Sequence, residues 1–268
     1  PNLIFKLEIS NKVKFFFKKL LPSILSSGVT QINILIGTII ASFEASAVSY
    51  LYYADRVYQI NLAIAGIAVG TVSLPVLSKA FKNKNLKKLS NIQNKSFELS
   101  LLLSIPASLG LILASEEIIN ALFGYGSFSK EDVKLTADAL KYFGYGVPAF
   151  SLVKILSNFF FARDNTKTPF YVSLGIVAIN ISISVSLFSD FGFIIIPIAT
   201  SIATWLGVLV YIYLLNKKNS LLLKIELIPN LIKILCSTII MSFILTVVLD
   251  NYASYLDYTY KFKAIYLI

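Results

Sequence analysis

Residues 45–77 read ASAVSYLYYADRVYQINLAIAGIAVGTVSLPVL and carry only two charges, Asp55 and Arg56, side by side. A spanning helix needs ~20 mostly apolar residues, and this run exceeds that length. A charge at bilayer depth costs at least ~2.5–3.5 kcal/mol on insertion scales, so two of them demand a reason. Successive residues point about 100° apart around a helix, so Asp55 and Arg56 do not face each other. Each needs a partner on another helix, in water or in a ligand. Arg56 lies about 11 residues into the run, roughly 16 Å along the axis.

The rest of the chain repeats this pattern. Of its 268 residues 56% are hydrophobic and 14% charged, with mean hydropathy +0.76. Soluble domains carry about 25% charged residues, so this chain lacks the polar surface to stay in water. It reads as an integral membrane protein. Opening at Pro1 and stopping at Ile268 in an apolar segment, it reads as a piece of a longer polytopic protein.

Absences exclude much enzyme chemistry. There is no histidine, which removes a Ser-His-Asp triad, and one cysteine, Cys236, which leaves no intrachain disulfide and no Cys/His metal cluster. No G-x-x-x-x-G-K-[ST] phosphate loop occurs, so ATP is not hydrolysed by that route.

Seven spanning helices and a truncated eighth are expected: about 20–43, 45–77, 86–115, 131–162, 168–189, 191–216, 226–249, and one starting near Lys261. The architecture is therefore all-α, a polytopic transmembrane bundle over 20–268 preceded by a basic entry segment, 1–19. The short stretch E-E-I-I-N-A-L-F-G after Ser115 has helical periodicity and suits the interface. Pro22, Pro106, Pro148 and Pro197 interrupt apolar helices, as suits bending helices and is ordinary in membranes.

The charges sort by side. Segments 1–19, 79–95, 163–167 and 217–224 hold sixteen Lys/Arg, whereas the alternate connections hold only Lys130 and Lys134. Glu44, Glu116, Glu117, Glu131, Asp132, Asp190, Asp250 and Asp257 fall on that second side. Lys/Arg excess marks cytoplasmic loops, which places the N-terminus in the cytoplasm. The net charge of +10 is then a topology signal and not a nucleic-acid footprint.

Helical spacing puts Tyr52, Arg56, Gln59, Ala63, Gly66 and Gly70 on one stripe, polar first and small after. Gly66 and Gly70 form a G-x-x-x-G, a motif for close helix packing. Arg56 is a candidate ligand residue, because a guanidinium binds phosphate through two parallel charge-assisted hydrogen bonds. Lys154, in the fourth helix, is a second cation with no acid within four residues; snorkelling, pairing with Asp55 and substrate contact are all open to it. Gln31, Asn33, Asn180 and Thr200 are polar positions in otherwise apolar helices, but they include no carboxylate for a sodium site.

L-Y-Y-A-D-R-V-Y-Q-I, followed by G-I-A-V-G-T-V-S-L-P-V-L-S-K, resembles the MurJ/MviN lipid II flippase family. F-F-F-A-R-D-N-T-K-T-P is similar to its A-R-x-x-T-K-T-P junction, and Q-I-N-I-L-I-G-T-I-I-A-S and A-L-F-G-Y-G-S-F match in order. The resemblance covers about residues 20–220; beyond them only hydropathy supports it. It implies the second half of a fourteen-helix exporter of the multidrug/oligosaccharidyl-lipid/polysaccharide superfamily, from the seventh helix into the fourteenth. It implies transport of lipid II, an undecaprenyl-diphosphate-linked precursor, from inner to outer leaflet of the bacterial plasma membrane, without catalysis. Arg56 matches the cavity arginine and Asp55 the acid before it, with Tyr52 and Gln59 beside them and Lys154 at a basic position of the tenth helix. Many members carry Glu where this sequence has Gln59. Arg163, Thr166, Lys167 and Pro169 match the junction, implying a cytoplasmic gate or turn. The implied partners are lipid II, membrane lipids, the N-terminal half of the same protein and cell-wall synthesis machinery. No cofactor is implied; an ion gradient or membrane potential would drive alternating access.

Three other readings remain open on the residues alone. One is an exporter of drugs or other lipid-linked sugars, and another a membrane enzyme acting on polyprenyl diphosphates. The third is a non-transporting scaffold for wall synthesis.

Overall fold

A computed structural model of the chain describes Val13, Gly28, Val29, residues 31–252 and Tyr258. The entry segment 1–19, the start of the first expected helix with Pro22, and the truncated last helix lie outside these residues. Helix α1 is Gln31–Ala41, α2 Ala47–Leu62, α3 Val69–Lys82, α4 Leu86–Leu113 and α5 Ser115–Phe123. They are followed by α6 Lys130–Phe161, α7 Lys167–Phe191, α8 Ile195–Lys217 and α9 Leu227–Tyr252. Among the described residues there is no strand. The chain is an all-α polytopic membrane protein. By length and apolar composition the stretches Ala47–Lys82, Leu86–Leu113, Lys167–Lys217 and Leu227–Tyr252 can cross a bilayer, the third holding both α7 and α8.

Local sequence sets the breaks. Asn85 caps α4 by accepting from Lys88 N at 2.9 Å. Ser129 and Asp132 cap α6 reciprocally, each accepting from the other's backbone N–H, which satisfies two otherwise orphaned donors. Between α7 and α8 the chain reverses at Gly192, whose φ of 61° and ψ of −153° suit glycine alone. The Glu44 carboxylate accepts from Phe193 N at 2.7 Å there, tying the α1–α2 turn to the start of α8.

The helix expected at 45–77 is longer and discontinuous. It runs on to Lys82, so Lys79 and Lys82 stand on a helix and not in a loop. Between α2 and α3 lies a π-helical segment, Ala63–Ala68. Pro75, within α3, lacks the N–H that would bond one turn back.

Helix α6 is the central post. Its first half joins a core with Tyr50, Tyr58, Ile119 and Phe193, and its second half joins another with Leu77, Phe97 and Tyr211. Ser108 Oγ donates to Gly144 O at 2.8 Å, where α4 passes close over a glycine of α6.

The connections collect at two ends, as the charge pattern predicts. At one end Ser90, Gln93 and Asn94 of α4 and Arg163 after α6 bond the backbone of Ser220–Lys224. The other end gathers Glu44 with Phe193, Tyr50 with Asp132, and Tyr258 with Phe128. The lysine-rich and acid-rich connections are thus physically segregated.

Candidate functional site

Tyr50, Ala54, Val57 and Tyr58 form the buried side of α2 and fix its rotation. Tyr58 stacks on Phe143 at 5.3 Å between centroids, and Tyr50 Oη donates to Asp132 Oδ1 at 2.7 Å. That rotation leaves Tyr52 and Arg56 on the opposite, exposed side, Tyr52 at 54%. The two are one turn apart, and the Arg56 guanidinium lies 4.6 Å from the centre of the Tyr52 ring. A cation over an aromatic face is attracted by the ring quadrupole without being neutralised.

Asp55 takes a local partner. Gln59 Nε2, one turn on, donates to Asp55 Oδ2, so the acid is held on its own helix by a neutral amide. Among the described residues no carboxylate lies within 4.0 Å of Arg56 or Lys154, and Lys154 does not pair with Asp55. The ion pair among the described residues is Lys224–Glu226, at 3.9 Å on the surface between α8 and α9.

The stripe read from helical spacing is divided. Gly66 and Gly70 are buried against α6: a Cβ on Gly66 would stand 3.2 Å from Ser151 Cα, and one on Gly70 3.1 Å from Asn158 Nδ2. Asn158 Nδ2 donates to Gly70 O at 2.8 Å across this contact. The face that exposes Tyr52 and Arg56 continues instead through Ile64 and Val72, the latter 73% exposed. A π segment closes i→i+5 bonds, inserting about one residue per turn and turning the following face by about 100°. Spacing at 3.6 residues cannot foresee that shift.

Arg56 and Lys154 stand at different levels. Lys154 is exposed, and its Cγ lies 3.3 Å from where a Gly70 Cβ would be. Gly70 is fourteen residues beyond Arg56, about 20 Å along the helix. No single diphosphate spans that distance, so in this conformation the two cations do not close on one group.

Arg163, Thr166, Lys167 and Pro169 build the turn from α6 to α7. Arg163 donates to Phe159 O at the end of α6 and to Ser220 O at 2.8 Å, and its guanidinium lies 5.5 Å from the Phe81 ring centre. Burial lowers its pKa from the ordinary value. Thr166 stands before α7 without a side-chain cap bond; Asn165 supplies it, accepting from Thr168 N at 3.1 Å. Lys167 is exposed, and Pro169 is buried in the first turn, where a missing N–H is harmless.

Of the polar residues in apolar helices, Asn33, Asn180 and Thr200 converge and Gln31 stays exposed. Asn180 Nδ2 donates to Asn33 Oδ1 at 2.7 Å, and Thr200 and Ser184 hydroxyls reach Asn180 Oδ1 at 3.3 and 3.4 Å. The cluster links α1, α7 and α8 and is neutral. Sequence reasoning missed Gln93, Asn94, Glu44 and Asn158. Of these only Asn158 stands inside an apolar run, where a polar side chain is a signal; Gln93 and Asn94 lie in the lysine-rich segment and Glu44 in a connection, and the partners of all four lie 88 to 149 residues away.

A family model described as lipid II flippase MurJ matches residues 3–266. A probable lipid II flippase MurJ of Rhizobium meliloti is 41% identical over 75% of this chain and 38% of its own length. The one from Rickettsia prowazekii is 38% identical over 89% of this chain and 48% of its own. A solved lipid II flippase MurJ in an inward closed conformation superposes with TM-score 0.73 at 28% identity, over 90% of this chain and 50% of that one. An outward-facing multidrug resistance MATE family transporter of the MOP superfamily has a similar fold, with TM-score 0.68 at 15% identity, over 82% of this chain and 50% of that one. The chain belongs to the lipid II flippase MurJ family, and it spans half or less of the length of these relatives.

Proposed function

We propose that this chain is the second half of a transporter that moves lipid II from the inner to the outer leaflet of the bacterial plasma membrane. The observation that carries the reading is the Arg56 guanidinium, exposed on a spanning helix, lying on an aromatic ring and, among the described residues, with no carboxylate within 4.0 Å. Its fork of N–H donors suits a diphosphate, and a low-dielectric surround strengthens that attraction. Tyr52 and Gln59 orient the site, the first beneath the cation and the second by holding Asp55 aside.

Lys154, about 20 Å nearer the lysine-rich end of the same bundle, suits an earlier contact, made as the lipid headgroup enters on its way to Arg56. The N-terminal half of the same protein would close the cavity and rock against this half around the site. The Arg163–Pro169 turn belongs to the lysine-rich end, which faces the cytoplasm, the side that the basic charge of segment 1–19 also suits. Membrane lipid surrounds the remaining apolar faces, and wall-synthesis machinery consumes the product. No phosphate loop is present, so an ion gradient or the membrane potential drives the cycle, and no covalent chemistry is required.

The test uses the full-length gene in cells depleted of their own flippase, scoring lipid II accessible from outside at matched expression. Arg56→Ala is expected to lower accessibility at least ~10-fold, as loss of a charge-assisted pair of ~1.5–3 kcal/mol requires, and Arg56→Lys to restore it only in part. Normal export by Arg56→Ala would remove the diphosphate role.

A further inference from the structure

Helix α9 packs chiefly on α4 and leaves most of its apolar surface open. Between the two helices runs a groove of about 330 Å³. Leu102 and Pro106 of α4 and Ile234 and Met241 of α9 form its walls. Lys233 stands at the end nearer the lysine-rich side, with Ser237 one turn further in. The hydroxyl of Thr238, also in the lining, donates to Ile234 O at 2.7 Å, so its hydrogen is spent within α9. Pro106 lacks the N–H that would bond Leu102 O and crowds that carbonyl, so α4 cannot keep a regular surface here.

The geometry has the two ends of a lipid. Lys233 lies six residues inside α9, about 9 Å from its start, and Met241 about 12 Å beyond it along the axis. The apolar channel is thus buried in hydrocarbon while the flexible lysine stem reaches headgroup level. Lys95 shares the Leu102 and Pro106 face of α4, two turns nearer the same end, and is exposed. Glu98 stands near that face, yet among the described residues it makes no ion pair with either lysine. Lys233 thus lines the apolar groove, and Lys95 stands beyond the groove's basic end on its α4 wall. Basic pockets between spanning helices suit anionic headgroups.

We propose that this groove is a binding site for an anionic glycerophospholipid, with the phosphate on Lys233 and Lys95 and one acyl chain along Leu102, Ile234 and Met241. It lies on the α4–α9 face, whereas Arg56 is on the exposed face of α2, so it does not depend on the transport reading. The lipid fills a slot that would otherwise leave α9 loosely packed, fastening α9 to the bundle.

The test uses the full-length protein in nanodiscs of equal phosphatidylglycerol and phosphatidylcholine with identical acyl chains. Protein released into detergent is weighed by native mass spectrometry to count retained lipid. Wild type is expected to retain phosphatidylglycerol about five-fold over phosphatidylcholine, and Lys233→Gln to bring the ratio near one. Ser237→Trp, which fills the slot and leaves both lysines, is expected to remove retention of either lipid. Lys217→Gln, on α8 at the same end, keeps the wild-type ratio. Equal retention in wild type, or an unchanged ratio in Lys233→Gln, overturns the site. Retention that survives Ser237→Trp overturns the groove and leaves surface charge alone. If a polyprenyl phosphate added at a few mole per cent displaces phosphatidylglycerol in a Lys233-dependent way, the groove belongs to an isoprenoid chain and the assignment is wrong.

Discussion

Gln93 offers the sharpest test of how the lysine-rich end is held. It is fully buried on α4, its Nε2 donating to Ser220 O at 3.1 Å and its Oε1 accepting from Leu222 N at 2.9 Å. Asn94 and Ser90 extend this lacing to Leu222 O and Lys224 N, so side chains take the place of a missing strand partner. Gln93→Leu keeps the volume and removes both bonds. Ser220 O retains Arg163, but Leu222 N–H is left without an acceptor. One lost bond of ~1 kcal/mol and one orphaned donor on the half-buried Leu222, ~1–2 kcal/mol, lower the opening free energy of this linker by roughly 2–3 kcal/mol. Hydrogen exchange of the 218–225 peptide in the full-length protein should accelerate roughly 30- to 150-fold, with α8 still protected. Exchange in Gln93→Leu within about three-fold of wild type would refute the reasoning, because a linker that opens without those bonds is not held by them.

The other expectations concern the opposite end and the topology. Gly192→Ala forces a side chain onto φ 61° and sets its Cβ 2.8 Å from the Glu44 carboxylate, so a loss of about 2–4 kcal/mol should lower the thermal midpoint; an unchanged midpoint would contradict the backbone assignment. Glu117, half-buried in α5, has its carboxyl raised above the usual range by burial, and Glu116 adds to this. The native state therefore holds that proton more tightly than the unfolded chain, and the associated stability is present at low pH and lost as pH rises through the folded pKa. Glu117→Gln should unfold at a higher temperature than wild type at pH 7.5 and at the same temperature at pH 4; the reverse order would be wrong for a buried acid. With Cys236 replaced, an impermeant thiol reagent applied to intact cells should label Lys130→Cys and spare Lys84→Cys, and the opposite pattern would invert the proposed topology.

Sequence alone determined that this chain lives in a membrane and that its connections divide into a basic and an acidic set. Both follow from quantities that run along one dimension, the length of apolar runs and the order of charges, and no contact is needed to read them. Individual helix positions were also legible to within a few residues: 131–162 was expected where α6 spans Lys130–Phe161. The motif around Arg56 could be found the same way, since its residues are contiguous.

What tertiary structure decided was direction and level. The π segment at Ala63–Ala68 turned Gly66 and Gly70 away from the face of Arg56, a rotation set by backbone bonding and packing on α6. Asp55 found Gln59 and not a second helix, because an amide one turn away lies closer than any cation. Arg56 and Lys154 came to rest about 20 Å apart, since α2, α3 and α6 run side by side in one direction and each residue keeps its own height. Gln93 meets a linker about 130 residues later, and no local pattern records that meeting. Periodicity is a property of one helix, whereas a site is the sum of several helices, each free to rotate and slide until its buried face is satisfied.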